Sequence, residues 1–284
     1  MEVAVVGAGR VGTALAVLLG RAGHRIVGVS GREATRARAA EHLPGIPVGT
    51  DAEVVAGADL VLIALPDDRV EATCESIAAT GAFSREQIVA HCSGALGLDV
   101  LRAARARTMS LHPLQTFPDV GSALGSLPGA PIAVTAADEE TAAVGEDLVR
   151  ALGAVPVRVD EDRKALYHAA AVFASNYLVT ITALAEDLFV RAGLEDALER
   201  FLPLSRATLD NVAQLGPAWA LTGPAVRGDA GTVRRNLEAL AAAAPDAVPA
   251  YVALARVALD LGARSGRLAP DERLGVEEVL EPWR

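Results

Sequence analysis

The first half of the chain alternates short runs of aliphatic and β-branched residues with longer stretches of helical periodicity. Residues 2–6 form the first run, followed by Gly7 and a helical pattern through Ala22. Residues 25–29 predict a second strand and 33–41 a helix. Residues 60–64 are nearly all aliphatic, as a strand buried on both faces should be. Further strands are expected at 87–91, 108–111, 131–134 and 155–159, with helices at 69–79 and 138–152. This alternation predicts an α/β fold, a mostly parallel sheet with helices on both faces.

The pattern changes near Asp160, after which no strand is evident. Helices are expected at 164–192, 196–214, 232–244 and 249–265, separated by Gly and Pro. The tail after Pro270 reads as short and charged. Two domains are expected, 1–159 and an all-α 160–284.

Gly7-Ala8-Gly9-Arg10-Val11-Gly12 lies directly after the first strand and before the first helix. Each glycine then has a duty: a tight turn at Gly7, backbone approach to a pyrophosphate at Gly9, close helix–strand packing at Gly12. The helix N-terminus adds free N–H groups. A glycine-rich turn without ligand is the alternative. The context predicts a Rossmann-type domain over 1–159. The second strand ends in Val29-Ser30-Gly31-Arg32, with Glu33 one step past the arginine. An NAD site usually carries a carboxylate at this tip, whereas Arg32 and Ser30, helped by Arg36, suit a 2′-phosphate. NADP is therefore the expected cofactor, unless Arg32 is an ordinary loop arginine.

Ligands of open α/β sheets lie beyond the carboxyl ends of the strands. Those ends read Leu65-Pro66-Asp67-Asp68, His91-Cys92-Ser93-Gly94-Ala95 and His112-Pro113-Leu114-Gln115-Thr116-Phe117. Leu65, Pro66 and Ser93 are expected to border the cofactor, His112 to join the chemistry and Gln115 to meet substrate; His91 is a weaker candidate. Each is also compatible with a satisfied turn. In the next helix, Lys164, His168, Ser175 and Asn176 stand at offsets of 0, 4, 11 and 12, near one face at about 100° per residue. A polar stripe on a buried helix must find partners. His168 or Lys164 suits a general acid, with Asn176 beside it and Ser175 as a substrate anchor. The alternatives are interhelical hydrogen bonds, a dimer seam, or, for Lys164, a solvated first turn. Asp229 is expected to cap a helix; Arg227 is a candidate for an anionic substrate or a plain surface arginine.

Net charge is −10, from 36 acidic and 26 basic residues. With no basic stretch and 4% aromatics, nucleic acid and anionic membrane are poor partners. Cys74 and Cys92 form neither CxxC nor metal spacing, so no metal and a reducing cytoplasm are expected. Glu2 sits where a signal peptide wants positive charge. Residues 165–185 lack charged side chains and are long enough for a bilayer. Their Tyr167, His168, Ser175, Asn176, Thr180 and Thr182 favour instead a helix buried in a core or at a subunit interface.

The glycine fingerprint, residues 62–68, 91–96, 112–117 and 168–176, and the 221–229 loop together resemble a bacterial family with a Rossmann-like N-terminal domain and a helical C-terminal domain of unknown function. More distantly the chain is similar to pyrroline-carboxylate reductase, 6-phosphogluconate dehydrogenase and ketopantoate reductase. In ketopantoate reductases a Lys and two Asn recur every fourth residue on the first interdomain helix; here that stripe reads His168, Val172, Asn176, with the lysine replaced or displaced to Lys164. The resemblance implies a homodimer through the helical domains, and 2-dehydropantoate as one named substrate. The first reading is an NADP(H)-dependent oxidoreductase that reduces a small carboxylate-bearing carbonyl or imine compound. The second is a non-catalytic NADP-binding sensor; a partner of reduced deazaflavin is a third.

Overall fold

The computed structural model describes residues 1–283. The chain divides into two compact units, Met1–Tyr177 and Leu178–Arg284. The expected boundary at 159/160 followed the last strand; the first unit carries on through the helix beyond it.

The first unit holds β1 (Glu2–Val6), α1 (Arg10–Arg21), β2 (Arg25–Ser30), α2 (Glu33–His42), β3 (Val48–Gly49), α3 (Asp51–Val55), β4 (Leu60–Ile63), α4 (Asp67–Ala79), β5 (Ile88–His91), β6 (Arg107–Pro113), α5 (Val120–Ser126), β7 (Pro131–Ala136), α6 (Glu139–Ala151), β8 (Val155–Arg158) and α7 (Lys164–Ala174). The eight strands form one sheet in the order β3-β2-β1-β4-β5-β6-β7-β8. All pairs are parallel except β6 with β7. The sheet is thus mostly parallel, as the alternation predicts. The antiparallel pair arises because α5, seven residues long, returns the chain beside β6 in the reverse direction. One face packs Val3, Val5, Leu60 and Leu62 against α1 and α6; the other packs Val6, Val61 and Ile63 against Val70, Cys74 and Ile77 of α4.

Three short elements escape the hydrophobic pattern. β3 has two residues, too few for a period. α3 is set by a capping box of Thr50 and Glu53 rather than by periodicity. α5 is interrupted by Gly121 and Gly125.

The predicted helix at 164–192 is two helices, α7 and α8 (Asn176–Arg191), broken at Ser175 with φ −123° and ψ −67°. The Ser175 amide still bonds the Ala171 carbonyl, and Asn176 begins the second helix. The helix is not buried in the core of the chain: Glu161–Arg191 contains an 18-residue window of mean hydropathy 1.3 and is long and apolar enough to cross a membrane, by length and composition. Only Lys164 within it is buried.

The second unit contains most of α8, then α9 (Ala197–Leu215), α10 (Pro217–Ala220), α11 (Ala230–Ala243), α12 (Val248–Arg264) and α13 (Pro270–Leu280). Its core is Val233, Leu237, Val252, Leu259, Val276 and Leu280. The charged tail is therefore a helix, because α13 places Val276, Val279 and Leu280 inward. Asp229 caps α11, accepting from the Thr232 amide. The α8 and α9 helices keep Val179, Val190, Leu204 and Leu215 exposed.

Candidate functional site

A cleft of about 800 Å³ opens at the carboxyl ends of the strands of the first unit. Its middle is the glycine loop. Gly7 has φ +87°, and a Cβ on it would strike Leu65 Cδ2 at 2.5 Å. A Cβ on Gly12 would lie 2.6 Å from the Gly7 carbonyl and 3.0 Å from Val5. These two glycines serve packing. Gly9 differs: its missing Cβ has nothing nearer than the Gly7 carbonyl at 3.9 Å, and it lines the cleft. The amides of Gly7 and Ala8 are bonded to Ser30 O, and Thr13 N bonds Gly9 O. The first-turn amides of α1, at Arg10, Val11 and Gly12, precede that first helical bond and have no helical acceptor. A pyrophosphate fits here: open space over Gly9, orphan donors and a positive helix end. Arg10 lines the cleft and its Nη1 donates to the Pro118 carbonyl at 3.0 Å, pinning the loop after β6.

At one end of the cleft stand Arg32, Thr35, Arg38 and Asp51. The expected Ser30 is buried and does not reach the cleft; its hydroxyl donates to Asp51 Oδ1 at 2.5 Å. The expected helper Arg36 points to solvent, and Arg38 takes its place with Nη1 donating to the Ala8 carbonyl at 2.9 Å. Helical spacing explains the exchange: Thr35 and Ala39 define the buried face of α2, and residue 38 borders it while 36 does not.

At the other end stand Leu65, Pro66, Cys92, His112 and Gln115. Gln115 donates to the Ser126 carbonyl at 3.3 Å. Ser93, expected to meet cofactor, is buried and spent: its hydroxyl donates to Asp67 at 2.8 Å and accepts from the amides of Ala95 and Leu96. His91 is wholly buried between the Ser93 amide and the Gly97 carbonyl, and burial, with the Lys164 charge, pushes its imidazole down to about 4. It is a structural histidine.

Lys164 does not cap a solvated turn. It is 1% exposed, and its ammonium donates to the Ser93 carbonyl at 3.1 Å and the Ser110 hydroxyl at 2.8 Å. Burial lowers it to about 8, against the pull of Asp67 and Glu161. Glu161 accepts from the Leu98 amide. The start of α7 thus grips the 93–98 loop through two side chains. Cys92 is pushed up to about 12 by burial and stays a thiol.

His168 and His112 meet edge to face with centroids 5.8 Å apart. A Cβ on Gly94 would fall 2.7 Å from His168 Nδ1 and 2.8 Å from His112 Nε2, so only glycine lets both nitrogens converge there. His112 Nδ1 lies 3.1 Å from the Tyr167 hydroxyl. Burial first, then His168 and Lys164, holds His112 down to about 4, and burial raises Tyr167. His168 Nδ1 is buried without a hydrogen-bond partner among the described residues. Ser175 is half-buried at the helix break and Asn176 is exposed at the start of α8. Arg227, in the second unit, is exposed and donates to the Thr222 carbonyl. Sequence reasoning missed Tyr167, Asp67, Ser110, Arg38 and Asp51. Adjacency of Tyr167 to His168 was the one visible signal.

A family model for a Rossmann-like domain matches residues 1–117, and one for DUF2520, a domain of unknown function, matches residues 130–258. A candidate NADP oxidoreductase of Bacteroides fragilis shares 27% identity over 91% of this chain and 98% of its own, with a TM-score of 0.74. A Thermotoga maritima protein, 20% identical over 93% and 100% of the two chains, has the same TM-score of 0.74. An imine reductase of Streptomyces aurantiacus is 18% identical over 99% of each chain, with a TM-score of 0.64. The last two likenesses are of fold. No curated protein matches the sequence significantly. The chain is thus similar to a Rossmann-like domain in its first part and to a DUF2520 domain in its second.

Proposed function

We propose that the protein is an NADPH-dependent oxidoreductase that reduces a small, carboxylate-bearing carbonyl or imine compound. The observation that carries the reading is the imidazole pair at one end of the cleft: His112 braced by Tyr167, beside a buried His168 nitrogen with no partner. A buried polar atom without a partner costs stability unless a ligand supplies one. The name given to the Bacteroides relative supports the class of chemistry. Bound over Gly9, NADPH supplies the hydride.

The roles follow from the groups. Tyr167 keeps its proton and donates to His112 Nδ1, which fixes the neutral Nε2–H tautomer. That N–H donates to the oxygen or nitrogen on which charge develops. His168 delivers the proton as general acid. Asn176 and Ser175 bind the carbonyl and carboxylate of the substrate, with Gln115 as a further substrate contact. Lys164 acts from behind by holding the Ser93–Gly94 backbone against both rings. 2-Dehydropantoate is one substrate with the required carbonyl and carboxylate. We further propose a homodimer through the exposed apolar faces of α8 and α9, since patches this apolar mark interaction sites; sedimentation would report it.

The test is a panel of 2-keto acids, 2-dehydropantoate among them, and cyclic imines, followed by NADPH consumption. At least one member should be reduced, and His168→Ala should abolish turnover with NADPH affinity kept. Tight NADPH binding with no panel member reduced would favour the sensor reading.

A further inference from the structure

The end of the cleft beyond the glycine loop holds charges of both signs that do not pair. Arg32, Arg38 and Asp51 all line it, and none of the three makes an ion pair among the described residues. Asp51 arrives there through the sheet. β3 pairs with β2 so that Gly49 stands opposite Ser30, and Asp51, two residues on, reaches the tip of β2. Ser30, 1% exposed, donates its hydroxyl to Asp51 Oδ1. One carboxylate oxygen is thereby held while the side chain stays in the cleft wall.

In NAD sites an acidic residue about 20 positions past the glycines takes a ribose hydroxyl. Here that position falls on Arg32, and Glu33, one step past it, is exposed and outside the cleft. Asp51 puts a carboxylate at the same strand tip from the neighbouring strand. A carboxylate there accepts from a hydroxyl and repels a phosphate, whereas the two arginines attract the phosphate.

We infer that Asp51 is a second determinant of cofactor choice: it accepts a hydrogen bond from an adenosine ribose hydroxyl and so gives the site a hold on NADH, against the preference for NADPH that Arg32 and Arg38 set. This rests on the NADPH reading above. The protein accordingly binds both dinucleotides, NADPH the more tightly.

Calorimetric titration of NADPH and NADH, separately, into the wild type, Asp51→Asn, Asp51→Ala and Arg32→Gln tests it. Each Asp51 variant should weaken NADH about tenfold, one charged hydrogen bond, and tighten NADPH about threefold by removing a partly screened repulsion. Arg32→Gln should move the ratio of the two affinities the opposite way. Thermal midpoints check that the variants fold, and Asp51→Ala leaves the Thr50–Glu53 capping box intact. An unchanged ratio in both Asp51 variants, or a wild type blind to NADH, overturns the inference and leaves the NADPH reading standing. A wild type that binds neither overturns both.

Discussion

The middle of the cleft is built from backbone and the His112 end from side chains, and the two fail in different ways. At the glycine loop, function comes from atoms that are missing. Gly7 and Gly12 leave out a Cβ so that helix and strand can touch; Gly9 leaves one out where the cleft is open. At the other end, function comes from polar groups collected from α4, the loop after β5, β6 and α7. Asp67, Ser93, Ser110 and Lys164 form one chain of hydrogen bonds; Tyr167 and His112 form a separate pair, and His168 meets His112 edge to face. A change in the first region should act on the fold or on cofactor binding, each by a separate glycine. A change in the second should act on chemistry while leaving the fold and the cofactor in place.

Gly12→Ala should have the largest effect, on stability first. A methyl 2.6 Å from a carbonyl oxygen forces α1 away from β1, an overpacking cost of about 3 kcal/mol by denaturant unfolding. Lys164→Met should do the reverse. Its lost hydrogen bonds are offset by removing a buried charge, so stability should change little. Loosening the 93–98 loop beneath the imidazoles should cut kcat/KM about 100-fold. Because Lys164 is held at about 8, wild-type kcat/KM should also fall as pH rises through that value, and the variant should lack this limb.

Tyr167→Phe is finer still. It frees His112 Nδ1 from its donor and lets the ring take either tautomer, so kcat should fall about tenfold, near one neutral hydrogen bond, with NADPH affinity unchanged. Acid stability should respond as well. His91 and His112 sit near 4 when folded and near 6.5 when unfolded. From pH 6.5 down towards 4 the unfolded chain binds protons that the folded chain refuses, so stability should fall with pH across that window. Substituting His112 by Asn should make the fall shallower.

The same contrast explains what was legible in the sequence. Gly7, Gly9 and Gly12 are adjacent, their duties are local, and their strand–turn–helix context is periodic enough to read. The strands and long helices follow from the same periodicity. What could not be read depended on register or on chain crossing. Asp51 reaches Ser30 because two parallel strands align Gly49 with Ser30, and β3 is too short to announce itself. For Lys164 the sequence left a general acid and a solvated first turn both open, and neither showed that the chain folds its ammonium onto Ser93 and Ser110, 71 and 54 residues away in sequence. Ser93 and Ser30 had the right chemistry for ligands and were spent on Asp67 and Asp51 instead. The single helix expected over 164–192 divides at Ser175, where the backbone turns irregular.

The central claim is that a dinucleotide lies over Gly9, and one substitution isolates it. Gly9 has φ −76°, open to any residue, and no atom crowds its Cβ, so Gly9→Val should keep the wild-type thermal midpoint. Titrated with NADPH, the variant should show at least a hundredfold loss of affinity, the order of 3 kcal/mol. If Gly9→Val folds normally and binds NADPH as the wild type does, the cofactor does not lie where this account puts it.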